Sequence, residues 1–265
     1  MACIPRVHTL AAALLLGALA LPASAAEEAP AELQNRTGPT EGFVAEEAAG
    51  MLTLAWRPNG DRMPVTIVLS EEAGGILRAN RYTEQLLGAG IATLLLEIED
   101  GDAAAVLTKA ATALAHDPRF LPWQIGAIGF GAGGQAVAAA QFRFAARAML
   151  YPGCGELRGK AAPAAFWAGR PMLLMHGTED PANPSGICGS AAESLGMAGA
   201  RIQHTQHRHA GYAWDWPRLR SERRFRLFAP GMAERVVVAP WPELAELTAG
   251  QVATFFSQAF RAASQ

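Results

Sequence analysis

From about residue 79 onward, segments with the apolar period of a helix alternate with short apolar runs of strand type, and this alternation leaves few folds open. Helices are expected over residues 79–89, 103–116, 134–146, 190–197 and 243–260, and strands over 91–98, 124–128, 148–151, 171–176 and 201–205. Strands that each feed a helix before the next strand build a parallel sheet covered on both faces. Residues 51–56 and 64–69 are also strand-like, with Pro58-Asn59-Gly60-Asp61 between them. An Asn-Gly pair favours a tight hairpin, so an antiparallel start is expected. Residues 26–49, rich in Ala, Glu, Pro, Thr and Gly without periodicity, read as a flexible lead-in. The expected fold is α/β: one domain over residues 50–265, with a mostly parallel central sheet, an antiparallel start and helices on both faces.

The N-terminus reads as an export signal over residues 1–25. Arg6 and His8 precede an apolar run from Leu10 to Leu21, Pro22 breaks it, and Ala23-Ser24-Ala25 has the small-x-small form of a signal peptidase site. About 12 apolar residues fall short of the roughly 20 that a spanning helix requires. Cleavage near Ala25, a periplasmic or secreted location and no stable membrane insertion are therefore expected. Cys3 precedes the apolar run and cannot serve as a lipobox cysteine. With 51% hydrophobic and 17% charged residues the chain is not of disordered composition, and a net charge of −2 supplies no field for nucleic acid.

The segment Ile125-Gly126-Ala127-Ile128-Gly129-Phe130-Gly131-Ala132-Gly133-Gly134 runs from a buried strand into a helix. That is the setting of a nucleophile elbow, whose sharp turn needs small residues on both sides and displays the central side chain above the sheet. Gly129 and Gly133 keep the flanking positions of G-x-S-x-G, but the central residue is Gly131. Here the chain resembles the dienelactone hydrolase family of the α/β-hydrolase superfamily, whose elbow carries cysteine or serine.

The resemblance extends from about Gly50 to the C-terminus. The segments 64–75, Tyr151-Pro152-Gly153-Cys154 and 171–180 are similar to the family's oxyanion strand and loop, the turn after the next strand, and the turn that bears the catalytic acid. The resemblance implies Asp180 as the triad acid, Ser70 and Ala132 in the oxyanion region, and Tyr212, within Ala210-Gly211-Tyr212-Ala213-Trp214-Asp215, where the histidine should stand. Ser70 is followed by Glu71 and Glu72, which departs from the family pattern. Acyl transfer by this route needs a nucleophile, a base and an orienting acid; only the acid position is filled. His209 is the alternative base if the register is shifted.

His207 and His209 could share a strand face, but without a third ligand there no metal is expected, and no cofactor is implied. His176, at the end of an apolar strand, reads as a core histidine. Cys154 and Cys188 are the cysteines that follow the export signal; in an oxidising compartment they suggest a disulfide, with free thiols, or Cys154 as a displaced nucleophile, as the alternatives. Residues 214–242, with Arg218, Arg220, Arg223, Arg224 and Arg226, read as a solvated insertion or as a rim for an anion. Two functions stay open: a pseudoenzyme that binds a small ester, lactone, other small molecule or a partner, and an active ester or lactone hydrolase using unconventional residues.

Overall fold

The central strands pair because almost every residue in them is apolar and buried, the pattern of a sheet covered on both sides. The computed structural model describes residues 37–45, 48–57, 59–69, 75–97, 102–217 and 225–265. In chain order these form β1 (Thr37–Ala45), β2 (Ala48–Ala55), β3 (Met63–Leu69), α1 (Gly75–Gly88), β4 (Ala92–Glu97), α2 (Ala103–His116), β5 (Phe120–Phe130), α3 (Ala132–Ala139), β6 (Ala146–Leu150), α4 (Cys154–Lys160), β7 (Pro171–Gly177), α5 (Ser185–Met197), β8 (Arg201–His207), β9 (Phe225–Leu227), β10 (Val236–Val238) and α6 (Pro242–Ala263). The sheet has the order β1-β2-β4-β3-β5-β6-β7-β8 and is parallel from β4 to β8. Helices α1 and α6 pack together on one face; α2 to α5 cover the other. This is the expected architecture. Among the described residues no helix is long and apolar enough to cross a membrane.

The antiparallel start exists, but not as the hairpin that Asn59-Gly60 suggests. β2 pairs antiparallel with β1 and β4, while β3 pairs with β4 and β5. Residues 56–62 form a link longer than a two-residue hairpin loop, long enough to step across the intervening β4. The lead-in over residues 26–49 is likewise corrected, because Thr37–Ala45 is a strand. As the outermost strand β1 is largely exposed, so its sequence carries no alternation to betray it; Glu41 anchors it to Arg119, 2.6 Å away. The export signal lies outside the described residues.

Local chemistry sets several boundaries. Asp102 caps α2 by accepting from the amides of Ala104 and Ala105. Helix α3 ends at Ala139, well short of the expected 146, because the carbonyls beyond its last turns serve another group. The buried Arg147 guanidinium donates to the carbonyls of Val137, Ala140, Phe142 and Phe166 at 2.7–3.1 Å. Burial pushes its pKa down to about 9, so these four acceptors are what make a charge tolerable there. On the same face Cys154 and Cys188 form a disulfide between α4 and α5, with Cα atoms 5.0 Å apart.

Two stability outcomes follow. Arg147→Ala strands its carbonyl partners and lowers the unfolding free energy by roughly 3–5 kcal/mol, read from urea midpoints. Removing the crosslink by Cys154→Ala/Cys188→Ala frees a closed loop of 34 residues and costs roughly 3–4 kcal/mol. Intact mass before and after reduction checks the bond itself: two thiols alkylating in unreduced, denatured protein would remove it.

Candidate functional site

The turn read as an elbow is a sharp strand-to-helix turn centred on Gly131. Gly131 follows β5 directly and has φ 52°, ψ −122°, a conformation that L side chains rarely adopt. Its amide donates to the Leu150 carbonyl at 3.0 Å, and its carbonyl accepts from Gly134 at 2.9 Å, opening α3. The flanking glycines are needed for contact, since a Cβ on Gly129 would strike the Gly133 carbonyl and one on Gly133 would come within 2.6 Å of the Leu69 carbonyl oxygen. Ala132 is the exposed first residue of α3. Ser70 lies outside the described residues.

Asp180 sits in the turn after β7, buried at 3% exposure. One oxygen accepts from the Ala182 amide at 2.9 Å and the other from Asn183 Nδ2 at 2.8 Å. Asn183 in turn accepts from the amides of Gly153 and Cys154. The acid turn is thus tied to the turn after β6 and to the disulfide. Glu179, one residue earlier, holds His209: Nδ1 is 2.8 Å from Glu179 Oε1, with both side chains more than 60% exposed. His209 therefore pairs with Glu179, a solvated contact of small energetic weight.

Tyr212, fully buried, meets the ring of Tyr151 edge to face at 5.1 Å and bridges to Val238 of β10. Around these rings lies a cluster that the sequence did not announce. The Asp215 carboxyl group accepts from the hydroxyls of Tyr151 at 2.6 Å and Tyr82 at 2.8 Å, with Arg78 Nε at 3.8 Å. Arg78 Nη1 also donates to the Tyr151 hydroxyl at 3.3 Å and its guanidinium lies over the Trp216 ring. Tyr82 reaches Thr248 of α6 at 3.0 Å, and Trp214 Nε1 donates to the same hydroxyl. Burial raises the Asp215 pKa above 3.8 against the opposing pull of Arg78, and burial together with Asp215 raises that of Tyr82 well above 10, so the phenol stays a donor.

The cluster adjoins the elbow through Phe130, the residue before Gly131, which packs edge-on against Tyr82 at 4.8 Å. Tyr151 holds φ 40° and Ala213 φ 51°. Backbone strain in non-glycine residues thus gathers at the carboxyl ends of the strands. Residues 214–216, expected to open a solvated loop, are instead interior, because Asp215 is held by donors from α1 and from the turn after β6. Arg226 lies in the β9–β10 ribbon; Arg218, Arg220, Arg223 and Arg224 lie outside the described residues.

The histidines arrange themselves otherwise than an i, i+2 spacing suggests. His207 is buried against Trp214 at 5.3 Å between ring centroids, while His209 turns to solvent. His176 is buried, as expected, and meets His204 across the β7–β8 pair. Among the described residues no group of three or more His, Cys, Asp or Glu is placed to hold a metal ion.

Known structures share this architecture. Pyrobaculum calidifontis esterase superimposes with a TM-score of 0.60 at 12% identity, covering 86% of this chain and 88% of that one. Apo esterase 2 of Thermogutta terrifontis gives 0.59 at 18%, covering 81% and 92%, and MGS-M1, an α/β-hydrolase enzyme from a Medee basin deep-sea metagenome library, 0.57 at 14%, covering 68% and 85%. No family model and no curated protein sequence matches the chain. At these identities the likeness shows the fold: the chain has the α/β-hydrolase fold.

The Asp215 cluster is testable as structure. Asp215→Ala strips two buried phenols of their acceptor and lowers stability by roughly 2–4 kcal/mol; the neutral isostere Asp215→Asn costs less. Because burial raises the Asp215 pKa, the stability this residue contributes is fully present below the unfolded value of 3.8 and is lost as pH rises through the folded pKa. The gap between wild type and Asp215→Ala is therefore wider at pH 4 than at pH 7, which urea unfolding at the two pH values checks.

Proposed function

We propose that this chain is an exported, dienelactone-hydrolase-like pseudoenzyme that acts by binding a small ester, lactone or related molecule, or a partner, without turning it over. The observation that carries this reading is Gly131: the elbow backbone is intact and presents no hydroxyl or thiol. Two further facts support it. The position that resembles the family's histidine is Tyr212, its ring packed against Tyr151, and the oxygens of Asp180 accept from Ala182 and Asn183. Cys154, the other nucleophile considered, is in a disulfide. Export rests on the N-terminal signal pattern and is consistent with that disulfide.

A surviving hydrolase is the second reading, and the Glu179–His209 contact is the observation in its favour, since a histidine held by a carboxylate is half of a base system. Esterase 2 of Thermogutta terrifontis has been described phosphorylated by paraoxon, so the same reagent divides the two readings. Under the pseudoenzyme reading paraoxon leaves the intact mass of the mature protein unchanged. A stoichiometric phosphoryl adduct, or a burst of p-nitrophenol from p-nitrophenyl acetate, sinks it.

Restoration experiments should be strongly non-additive, as triad members act as a unit. Gly131→Ser alone supplies a hydroxyl with no base, and Tyr212→His alone a base beside nothing; each stays at the wild-type rate. The double variant is the one expected to gain p-nitrophenyl acetate turnover. Background turnover needs a heat-denatured control, because a site without a triad can retain roughly 10³ to 10⁴-fold catalysis over water.

A further inference from the structure

We infer that His176 and His204 form a binding site for one divalent transition-metal ion of the borderline class, such as Zn(II) or Ni(II). The two imidazoles come from neighbouring parallel strands. Leu174 stands opposite His204 and His176 opposite Gln206, so both side chains leave the sheet on the α5 face, two positions apart along the strands. Their ring planes differ by only 20°, the centroids lie 5.0 Å apart, and the rings meet edge to edge with the two Nε2 atoms facing each other at 2.9 Å.

The hydrogen bonding determines what each nitrogen offers. His176 Nδ1 lies 3.0 Å from the Gly177 carbonyl oxygen, and a carbonyl only accepts, so Nδ1 carries the proton and Nε2 the lone pair. A histidine fixed this way by a backbone carbonyl is the usual outer-shell arrangement of a metal ligand. Across the gap His204 Nε2 then donates to His176. An ion takes the place of that proton once His204 moves it to Nδ1, and the site binds without net proton release. Two Zn–N bonds of about 2.0–2.1 Å at a tetrahedral angle set the nitrogens about 3.4 Å apart, so the 2.9 Å contact needs to open by only about half an ångström.

Access and electrostatics agree with this. His176 is buried, but His204 lines an open groove of about 470 Å³ between β8 and α5, with Glu193, Met197 and Ile202 on its walls. Glu193 is the acidic group facing that groove, and water fills the remaining coordination positions. Burial holds both imidazoles below the usual histidine pKa, so they are neutral ligands at pH 7. Periodicity along one strand does not reveal the pair, because these ligands share a face across two strands.

Zn(II) and Ni(II) titrated calorimetrically into the mature protein in chelator-free buffer test the assignment. One ion per chain is expected, with His204→Gln weakening binding by at least about tenfold, and with His209→Gln and His116→Gln, which alter exposed histidines elsewhere, binding as wild type does. Zn(II) should also raise the melting temperature of wild type and not of His204→Gln; that variant alters a partly exposed side chain and is checked for folding by circular dichroism. Absence of a one-to-one event in folded wild type, or equal binding by His204→Gln, overturns the site.

Discussion

A carboxyl group cut off from water governs the half of the molecule above the carboxyl ends of the strands. Asp215 is buried, and leaving such a group without partners costs several kcal/mol. Its partners must therefore come to it, and they come from distant places: Arg78 and Tyr82 from α1, Tyr151 from the turn after β6, with Thr248 of α6 behind Tyr82. Each partner is fixed in turn by packing, Tyr82 against Phe130 and Tyr151 against Tyr212 and Trp214. Moving α1 or the turn after β6 deprives the group of a donor, and α6 and β5 are held in turn through their contacts with Tyr82.

The same economy holds at the turn after β7. A buried carboxylate needs hydrogen-bond donors around it. Asp180 gives one oxygen to a backbone amide two residues on and the other to Asn183, whose own oxygen receives the amides that open α4. The carboxylate acts as the keystone of a turn, and the disulfide closes the same junction. Tyr212 matches this: an aromatic ring among aromatic rings contributes packing where an imidazole would need a proton partner and room to change charge.

What was legible in the sequence follows from how locally each feature is encoded. β6 and β7 could be read because nearly every residue in them is buried and most are apolar, with Arg147 in one and His176 in the other as the buried polar exceptions. The elbow could be read because close approach of backbones demands small residues at fixed spacing. β1 could not, since an edge strand exposed on both faces has no period. The supposed hairpin failed because Asn59-Gly60 encodes a turn and says nothing of which strand fills the neighbouring place. The end of α3 was invisible for a longer-range reason: the group that takes its carbonyls, Arg147, lies beyond it on β6. The Asp215 cluster is the extreme case, with Tyr82 and Asp215 separated by 133 residues, and no window of sequence spans that contact.

The sharp turn from β5 into α3 has a physical cause that does not depend on the chemistry of its central residue. β5 must turn sharply into α3 for the helix to lie on the sheet, and the close contacts at Gly129 and Gly133 impose that turn whatever the central residue does. The conformation at position 131, φ 52° and ψ −122°, costs a residue with a side chain ~1–3 kcal/mol. An active hydrolase must carry that strain to present its nucleophile. Glycine at that position avoids the strain, and a difference of that size is a large fraction of a domain's net stability. Glycine at position 131 is thus favourable for folding whatever the turn is used for. Position 212 follows the same reasoning: among buried aromatic rings, a tyrosine packed edge-on against Tyr151 contributes contact area without a charge to solvate.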